Sequence, residues 1–225
     1  MQASFFSDIM QRRPELFRAV LAFNGLTPPG GSSCLPGAES LPAAWTAVPG
    51  LDVSALLASR RFRRRFLPAA QAGFWDFGEE TRRLALLPPE DLERLALTFG
   101  VCVHGAELAR IVLREQVLAM REELGPELYL YAVRRGRFQL GSIRQFFLAR
   151  DARESLAERI RRHGRQAVVW CLDGWPEELR ARCPGLPAGE ERPGDMSPAA
   201  RRALWFGLKK LLVKEVAPQW AACFD

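Results

Sequence analysis

The sequence predicts an all-α or nearly all-α protein, an irregular globular domain of several helices joined by loops rich in proline and glycine. Apolar residues recur three and four positions apart along most of the chain, as in helices that bury one face. The 16 prolines and 18 glycines cluster between these periodic segments. No run of alternating residues is convincing as a strand, and residues 128–133 are the one segment that could form one.

The first 80 residues contain predicted helices and a long loop. The apolar spacing of residues 15–24 predicts a helix, and segment 25–41, rich in proline, glycine and serine, predicts a loop. Asp52 is a suitable N-cap for a further helix over 51–67. The chain of 225 residues suits a single α-helical domain, with 1–80 as a possible loosely attached part of a main body over 81–225.

The helices of the main body are predicted from prolines and acids at their starts and from glycines at their ends. They begin at Glu90, continue over 106–124, and recur at 127–135, 143–148, 151–172 and 197–216. Gly100 and Gly105 allow a close approach between helices or a bend, and Gly164 predicts a kink. The core is expected to include Leu92, Leu95, Phe99, Val103, Ile111, Leu204, Leu208 and Leu211.

The chain is basic, with a formal net charge of +6 and a pI near 9.5. Only three of the 32 basic residues are lysines, and arginine binds phosphate and carboxylate groups as a bidentate fork. A basic helical nucleic-acid-binding protein is therefore the alternative function. Against it, acidic residues are interspersed with the arginines, so the sequence predicts no domain of a single sign and no nucleic-acid partner.

Two short segments are candidate partner interfaces. One is the densest basic run of the chain, consisting of Arg60, Arg61, Arg63, Arg64 and Arg65. The other is the aromatic cluster of Phe74, Trp75 and Phe77, which could anchor a partner if it is exposed. The alternative for the arginines is the solvated face of a helix, and the alternative for the aromatic cluster is a core plug beneath a loop.

The search for chemistry predicts a non-enzymatic protein without catalytic, cofactor-binding or metal-binding residues. The five cysteines are scattered without C-x-x-C spacing, and no phosphate-loop, dinucleotide-binding, zinc-protease or EF-hand motif is present. Glu107 could reach His104, but no nucleophile motif accompanies them. We expect His104 to be structural, bonded to a backbone carbonyl, and His163 to be exposed among its charged neighbours.

The N-terminal residues show no basic leader followed by an apolar run, and no stretch approaches the length needed to span a bilayer. We therefore expect a cytosolic protein, without direct membrane insertion, that can dock on a membrane complex.

Three stretches of the main body resemble the SctK (YscK-like) family of type III secretion sorting-platform proteins. In residues 87–133 a leucine-rich helix leads through Phe-Gly and His-Gly-Ala-Glu steps into an arginine-containing helix. Residues 138–141 (FQLG) fit the apolar-Gly step that follows in the family, and residues 208–225 (LKKLLVKEVAPQWAACFD) resemble its C-terminal pattern. The order and spacing of these motifs carry the resemblance.

The resemblance implies a cytoplasmic adaptor, associated peripherally with the inner-membrane secretion apparatus and without cofactors. Members of this family bridge the inner-membrane ring protein (SctD-like) to the pod protein (SctQ-like). The pod protein connects in turn, through an SctL-like stator, to an SctN-like ATPase. These proteins are the expected partners, direct or indirect.

Overall fold

The computed structural model describes residues 8–9, 11–24, 73–147, 154–183 and 196–224. Within these ranges every regular element is helical and no strand occurs, so the predicted all-α fold is confirmed. The predicted loop over 25–41 and the predicted helix over 51–67 lie outside the described residues. None of the described helices has the length and apolar character needed to cross a membrane.

The described helices are numbered in chain order. They are α1 (Pro14–Phe23), α2 (Pro89–Leu108), α3 (Arg114–Leu124), α4 (Pro126–Arg134), α5 (Leu156–Leu172), α6 (Glu177–Arg180), α7 (Pro198–Leu211) and α8 (Ala221–Phe224). Short 3₁₀ helices occur at Glu80–Leu86, Gly136–Phe138, Gly141–Phe147 and Pro218–Trp220, and a π-helical turn, Leu212–Val216, continues α7.

The chain divides into two compact units, of which the first holds the described residues up to Pro88 and those from Trp175 to Cys183. Phe77 lies in its interior, with the rings of Phe23 and Phe74 edge-on at centroid distances of 5.4 and 5.2 Å. The Asn24 side-chain amide donates a hydrogen bond of 2.8 Å to the Phe74 carbonyl. The end of α1 is thereby tied to the segment that carries these aromatic rings.

The second unit, whose described residues are 89–147, 154–174 and 196–224, is built around α2. Between residues 95 and 105 of this helix every residue except Leu97 is buried. A helix that is apolar on all sides must be surrounded by other elements, and α5, α4 and the segment after α4 pack against it. Around α2 the core cluster consists of Val101, Leu108, Met120, Leu124, Ala132, Ala157 and Ile160.

Several predicted boundaries are corrected by the structure. A helix was predicted over 106–124, but α2 ends at Leu108 and α3 begins at Arg114, after Leu113 in an extended conformation. The possible strand over 128–133 lies within α4, whose first residue is Pro126. Of the predicted core residues only Ile111 is not fully buried, because it lies in the connection between the two helices.

Candidate functional site

The closest approach between helices in the second unit is the crossing of α2 and α5, which two glycines make possible. A methyl group on Gly100 would overlap the carbonyl oxygen of Ile160, and one on Gly164 would overlap the carbonyl oxygen of Ala96. The backbone of each helix is therefore in direct contact with a glycine of the other helix. Ala96 contacts Gly164 and Gly100 contacts Ile160, so residue numbers increase in opposite directions along the two helices, which are antiparallel.

A kink was predicted at Gly164, and the structure gives this glycine a further role. Helix α5 is continuous from Leu156 to Leu172, and Gly164 admits the backbone of α2. For Gly100 the sequence left close approach and bending open, and the structure shows close approach. A β-carbon placed on a third glycine, Gly105, would lie only 2.8 to 2.9 Å from backbone atoms of Ala132 and Arg137. Here α4 and the turn after it approach α2.

A buried histidine pair lies beside the crossing. His104 of α2 is 2% exposed, His163 of α5 is 1% exposed, and His104 Nε2 lies 2.8 Å from His163 Nδ1. The two ring planes are 15° apart and the ring centroids are separated by 5.0 Å, so the rings are joined edge to edge through these nitrogens. His104 Nδ1 lies 3.3 Å from Glu107 Oε2, and Arg159 donates a 2.7 Å hydrogen bond to Glu107 Oε1. We call His104, Glu107, Arg159 and His163 the histidine cluster.

The hydrogen-bonding capacities of these groups fix the protons of the cluster. The pKa of Glu107 is lowered: burial raises it, but the hydrogen bond and charge of Arg159 and the bond to His104 outweigh burial. An ionised carboxylate only accepts, so His104 Nδ1 carries a proton. His104 Nε2 is then the acceptor, and His163 Nδ1–H donates to it. The chain of bonds thus leads from His163 through His104 to Glu107.

Both imidazoles favour the neutral form. Burial, helped by the charges of His104 and Arg162, lowers the pKa of His163 to about 4. Burial also lowers the pKa of His104. The hydrogen bond that His104 donates to Glu107 raises this pKa, and the charges of Arg159 and Arg144 lower it further. One added proton can bind His163 Nε2 and keep this bond, because His163 Nδ1–H still donates to His104 Nε2. A second proton, on His104 Nε2, would set two N–H groups against each other across 2.8 Å. The pair therefore accommodates at most one added proton.

The burial of His163 corrects the prediction that it is exposed. Its immediate neighbours are charged, but Ile160, His163, Ala167 and Cys171 follow one another at spacings of three and four, and all are buried. The ring of Phe147 lies 5.9 Å from His163, between centroids, and covers it. Helical spacing was therefore the signal in the sequence that identifies this position as buried.

The partner predicted for His104 is also corrected. A backbone carbonyl was expected, and the structure shows the side chains of His163 and Glu107 instead. The backbone carbonyl of the neighbouring Val103 accepts a 3.0 Å hydrogen bond from Arg144 Nε. Among the described residues, no group of three or more histidine, cysteine, aspartate or glutamate side chains is arranged to hold a metal ion. The cluster joins α2 to α5 through side-chain hydrogen bonds.

The structure describes only one of the two candidate interfaces predicted from the sequence. The arginines of the basic run, Arg60, Arg61, Arg63, Arg64 and Arg65, lie outside the described residues. In the aromatic cluster Phe74 and Phe77 are buried within the first unit, as the core-plug alternative describes, and Trp75 is half-buried. The three aromatic residues belong to the first unit, and the histidine cluster belongs to the second.

Comparison of the chain with models of protein families, with curated proteins and with solved structures finds no match in any of the three. The resemblance to the SctK family therefore rests on the sequence motifs alone.

Proposed function

We propose that this chain is a non-enzymatic cytosolic adaptor of the type III secretion sorting platform. In this role it bridges an SctD-like inner-membrane ring protein to an SctQ-like pod protein and so supports protein secretion. The pod protein links it indirectly to an SctL-like stator and an SctN-like ATPase.

The observation that carries the proposal is that the three stretches with the resemblance belong to one packed unit. Apart from Leu87, Pro88 and Asp225 at their ends, all three lie in the second unit. Trp220 Nε1 of the last stretch donates a 3.2 Å hydrogen bond to Asp91 Oδ2 of the first. Leu140 of the middle stretch packs beside Gly207, directly before the last one. Motifs that specify a common fold are expected to meet in this way, whereas unrelated segments need not.

Three of the four residues of the His-Gly-Ala-Glu step have a packing or bonding role. His104 and Glu107 bond across the helix crossing, and Gly105 admits the backbone of α4 and its following turn. Such a motif supports a scaffold, because it fixes how helices are arranged around α2. An adaptor depends on such a fixed arrangement, since its two binding faces must keep their relative positions.

The proposal is tested by co-purification. The full chain is expressed with the SctQ-like protein and with the cytoplasmic domain of the SctD-like protein encoded in the same genome, first separately and then together. We expect each pair to co-elute in size-exclusion chromatography and all three proteins to form one complex. The proposal fails if the folded chain binds neither protein. Tight binding to duplex DNA, falling steeply as salt is raised, would favour the nucleic-acid alternative instead.

A further inference from the structure

Two stretches of the second unit carry basic residues and no acidic residue. Residues 128–147 contain four arginines, and residues 197–214 contain two arginines and three lysines. Residues 159–172 also carry four arginines and no acidic residue, but Arg159, Arg161 and Arg162 are paired with glutamates of other segments. The two stretches are the longest described segments of the second unit that carry basic residues and no acidic one.

The two stretches meet in the structure. Leu140 Cδ2 lies 3.3 Å from the position of a β-carbon on Gly207, so the turn after α4 packs against α7. Gly136 stands between Arg135 and Arg137, and a β-carbon placed on it would lie 3.3 Å from the Cys102 sulfur. Burial raises the pKa of the Cys102 thiol to about 12, and the charges of Glu215 and Lys210 are weaker influences on it. Gly136 thus packs against the buried thiol of α2, and Leu140, four residues further on, packs against α7.

An exposed phenylalanine stands in each stretch. Phe138 is 70% exposed and Phe206 is 69% exposed. On α7, Arg202, Phe206 and Lys210 recur at four-residue intervals and share a face. The buried residues Leu204, Leu208 and Leu211 lie on the opposite side of the helix. We define the α7 surface as Arg202, Phe206 and Lys210 together with Arg135, Arg137 and Phe138.

We propose that the α7 surface binds an acidic, amphipathic helical segment of a partner protein, with the two phenylalanines contacting its apolar side chains and the basic residues its carboxylates. Exposed aromatic residues surrounded by charge are typical of interaction sites, where burial of the ring supplies most of the binding energy. The positive charge favours a partner of opposite sign and accelerates encounter with it.

A protein partner fits this surface better than a nucleic acid does. Bases stack on bare aromatic faces, but the Arg137 guanidinium already lies over the Phe138 ring, 4.5 Å from its centroid. Phosphate binding needs arginine and lysine but gives no reason for two exposed phenylalanines. Carboxylates flanking leucine or methionine side chains would satisfy both components of the α7 surface.

The inference rests on the proposed function only for the identity of the partner, because an adaptor requires two docking faces and the α7 surface would be one of them. One part of its test therefore measures binding of a defined peptide and does not involve the secretion proteins. The probe is a labelled 21-residue helical peptide, with leucines on one face and glutamates flanking them, and its binding to the full chain is followed by fluorescence anisotropy. A peptide of the same composition in scrambled order is the control.

We expect the patterned peptide to bind the wild-type chain more tightly than the scrambled one. Phe206→Ala combined with Phe138→Ala should raise its Kd about tenfold or more. Arg202→Glu with Lys210→Glu should weaken binding and reduce its dependence on salt. The matched controls on α3, Leu118→Ala and the pair Arg114→Glu with Arg121→Glu, replace exposed residues of the same types and should change Kd less than about twofold.

Three results would overturn the inference: no preference for the patterned peptide, equal binding by the surface variants and the wild type, or tighter binding of a 20-nucleotide single strand that the same variants weaken. The co-purification assay is run on the same variants. Loss of one secretion partner alone assigns the α7 surface to it. If the wild-type chain recruits neither partner but the peptide results are as expected, the proposed function is wrong and the α7 surface is still supported as a binding site. If the wild-type chain recruits its partners but the variants change neither recruitment nor peptide binding, the α7 surface is not a binding site and the proposed function is still supported.

Discussion

The α2–α5 crossing and the α7 surface belong to the same unit, yet opposite constraints govern them. At the crossing, two glycines remove side chains so that backbones touch, and the polar residues there are buried and bonded to one another. On the α7 surface, large aromatic and basic side chains project into solvent. The crossing is specified by shape and by hydrogen bonds between side chains of the two helices, whereas the surface is specified by charge and exposed apolar area.

The comparison teaches that the two regions should respond to substitution in different assays. Changes at the crossing should alter the free energy of unfolding, because its atoms have no room to move. Changes on the surface should alter binding while leaving stability nearly constant. The following predictions test that separation, from the largest expected effect on stability to the smallest.

The largest effect is expected for Gly100→Ala. The new methyl group would overlap the Ile160 carbonyl oxygen, and because this is backbone no rotamer change can relieve it. We expect a loss of more than about 3 kcal/mol in the free energy of unfolding, at the upper end of overpacking effects. Gly174→Ala is the matched control, since a methyl group there meets nothing within 4 Å, and it should change stability by less than about 1 kcal/mol. Similar denaturation midpoints for the two variants would contradict the crossing as described.

The next effect concerns pH. The pKa of His163 falls from 6.5 to about 4 on folding, so the unfolded chain takes up its proton first as the pH decreases. The contribution of this histidine is complete above about pH 6.5 and is lost progressively as the pH falls to about 4, with an upper limit of about 3 kcal/mol. Denaturation curves of the wild type and of His163→Gln should therefore converge over this interval. Parallel curves would mean that His163 is not buried in its neutral form.

A smaller effect is expected at the exposed start of α5. The Ser155 hydroxyl accepts a hydrogen bond from the Glu158 amide, and the Glu158 carboxylate accepts one from the Ser155 amide, which together form a capping box. Ser155→Ala should cost about 1 kcal/mol in chemical denaturation. Ser142→Ala, at another exposed serine, serves as the control and should cost less than about 0.5 kcal/mol. Equal costs would show that the box contributes nothing specific.

The smallest effect on stability is expected for Phe206→Ala. Its ring is 69% exposed, so its removal leaves no cavity and should change the free energy of unfolding by less than about 0.5 kcal/mol. The same variant, combined with Phe138→Ala, should weaken binding of the acidic helical peptide about tenfold. A large loss of stability would indicate that the ring supports the fold, and the separation between the two regions would then fail.

The helices themselves were largely predictable, because proline, acid and glycine mark their ends locally. Ser197 caps α7 as predicted, by accepting a hydrogen bond from the Ala200 amide. For α5 a helix was predicted from residue 151, which lies outside the described residues, and the described helix begins at Leu156 with Ser155 as its cap. Aspartate and serine are both good caps, and the sequence context alone does not show which of the two begins the helix.

The histidine cluster was predictable only in part. The reach from Glu107 to His104 follows from their spacing on one helix and was recognised in the sequence. The pairing of His104 with His163 spans 59 residues, and its geometry depends on how closely two backbones approach. That approach depends on Gly164, whose missing side chain predicts weakness when the helix is considered alone and allows contact once a second helix is present. The α7 surface was missed for the same reason, since its two basic stretches are distant in sequence and meet through tertiary contacts such as the one between Leu140 and Gly207.

The bond between Trp220 and Asp91 has a consequence for how the protein is made. The two residues are 129 positions apart, and Asp91 lies in the first turn of α2. At ordinary translation rates of about 5 to 20 residues per second, roughly 6 to 26 s separate their synthesis. For part of that interval α2 can be covered only by the elements made soon after it, which are α4, the segment after α4 and α5. The bond from Trp220 is therefore among the last contacts of α2 that can form during synthesis.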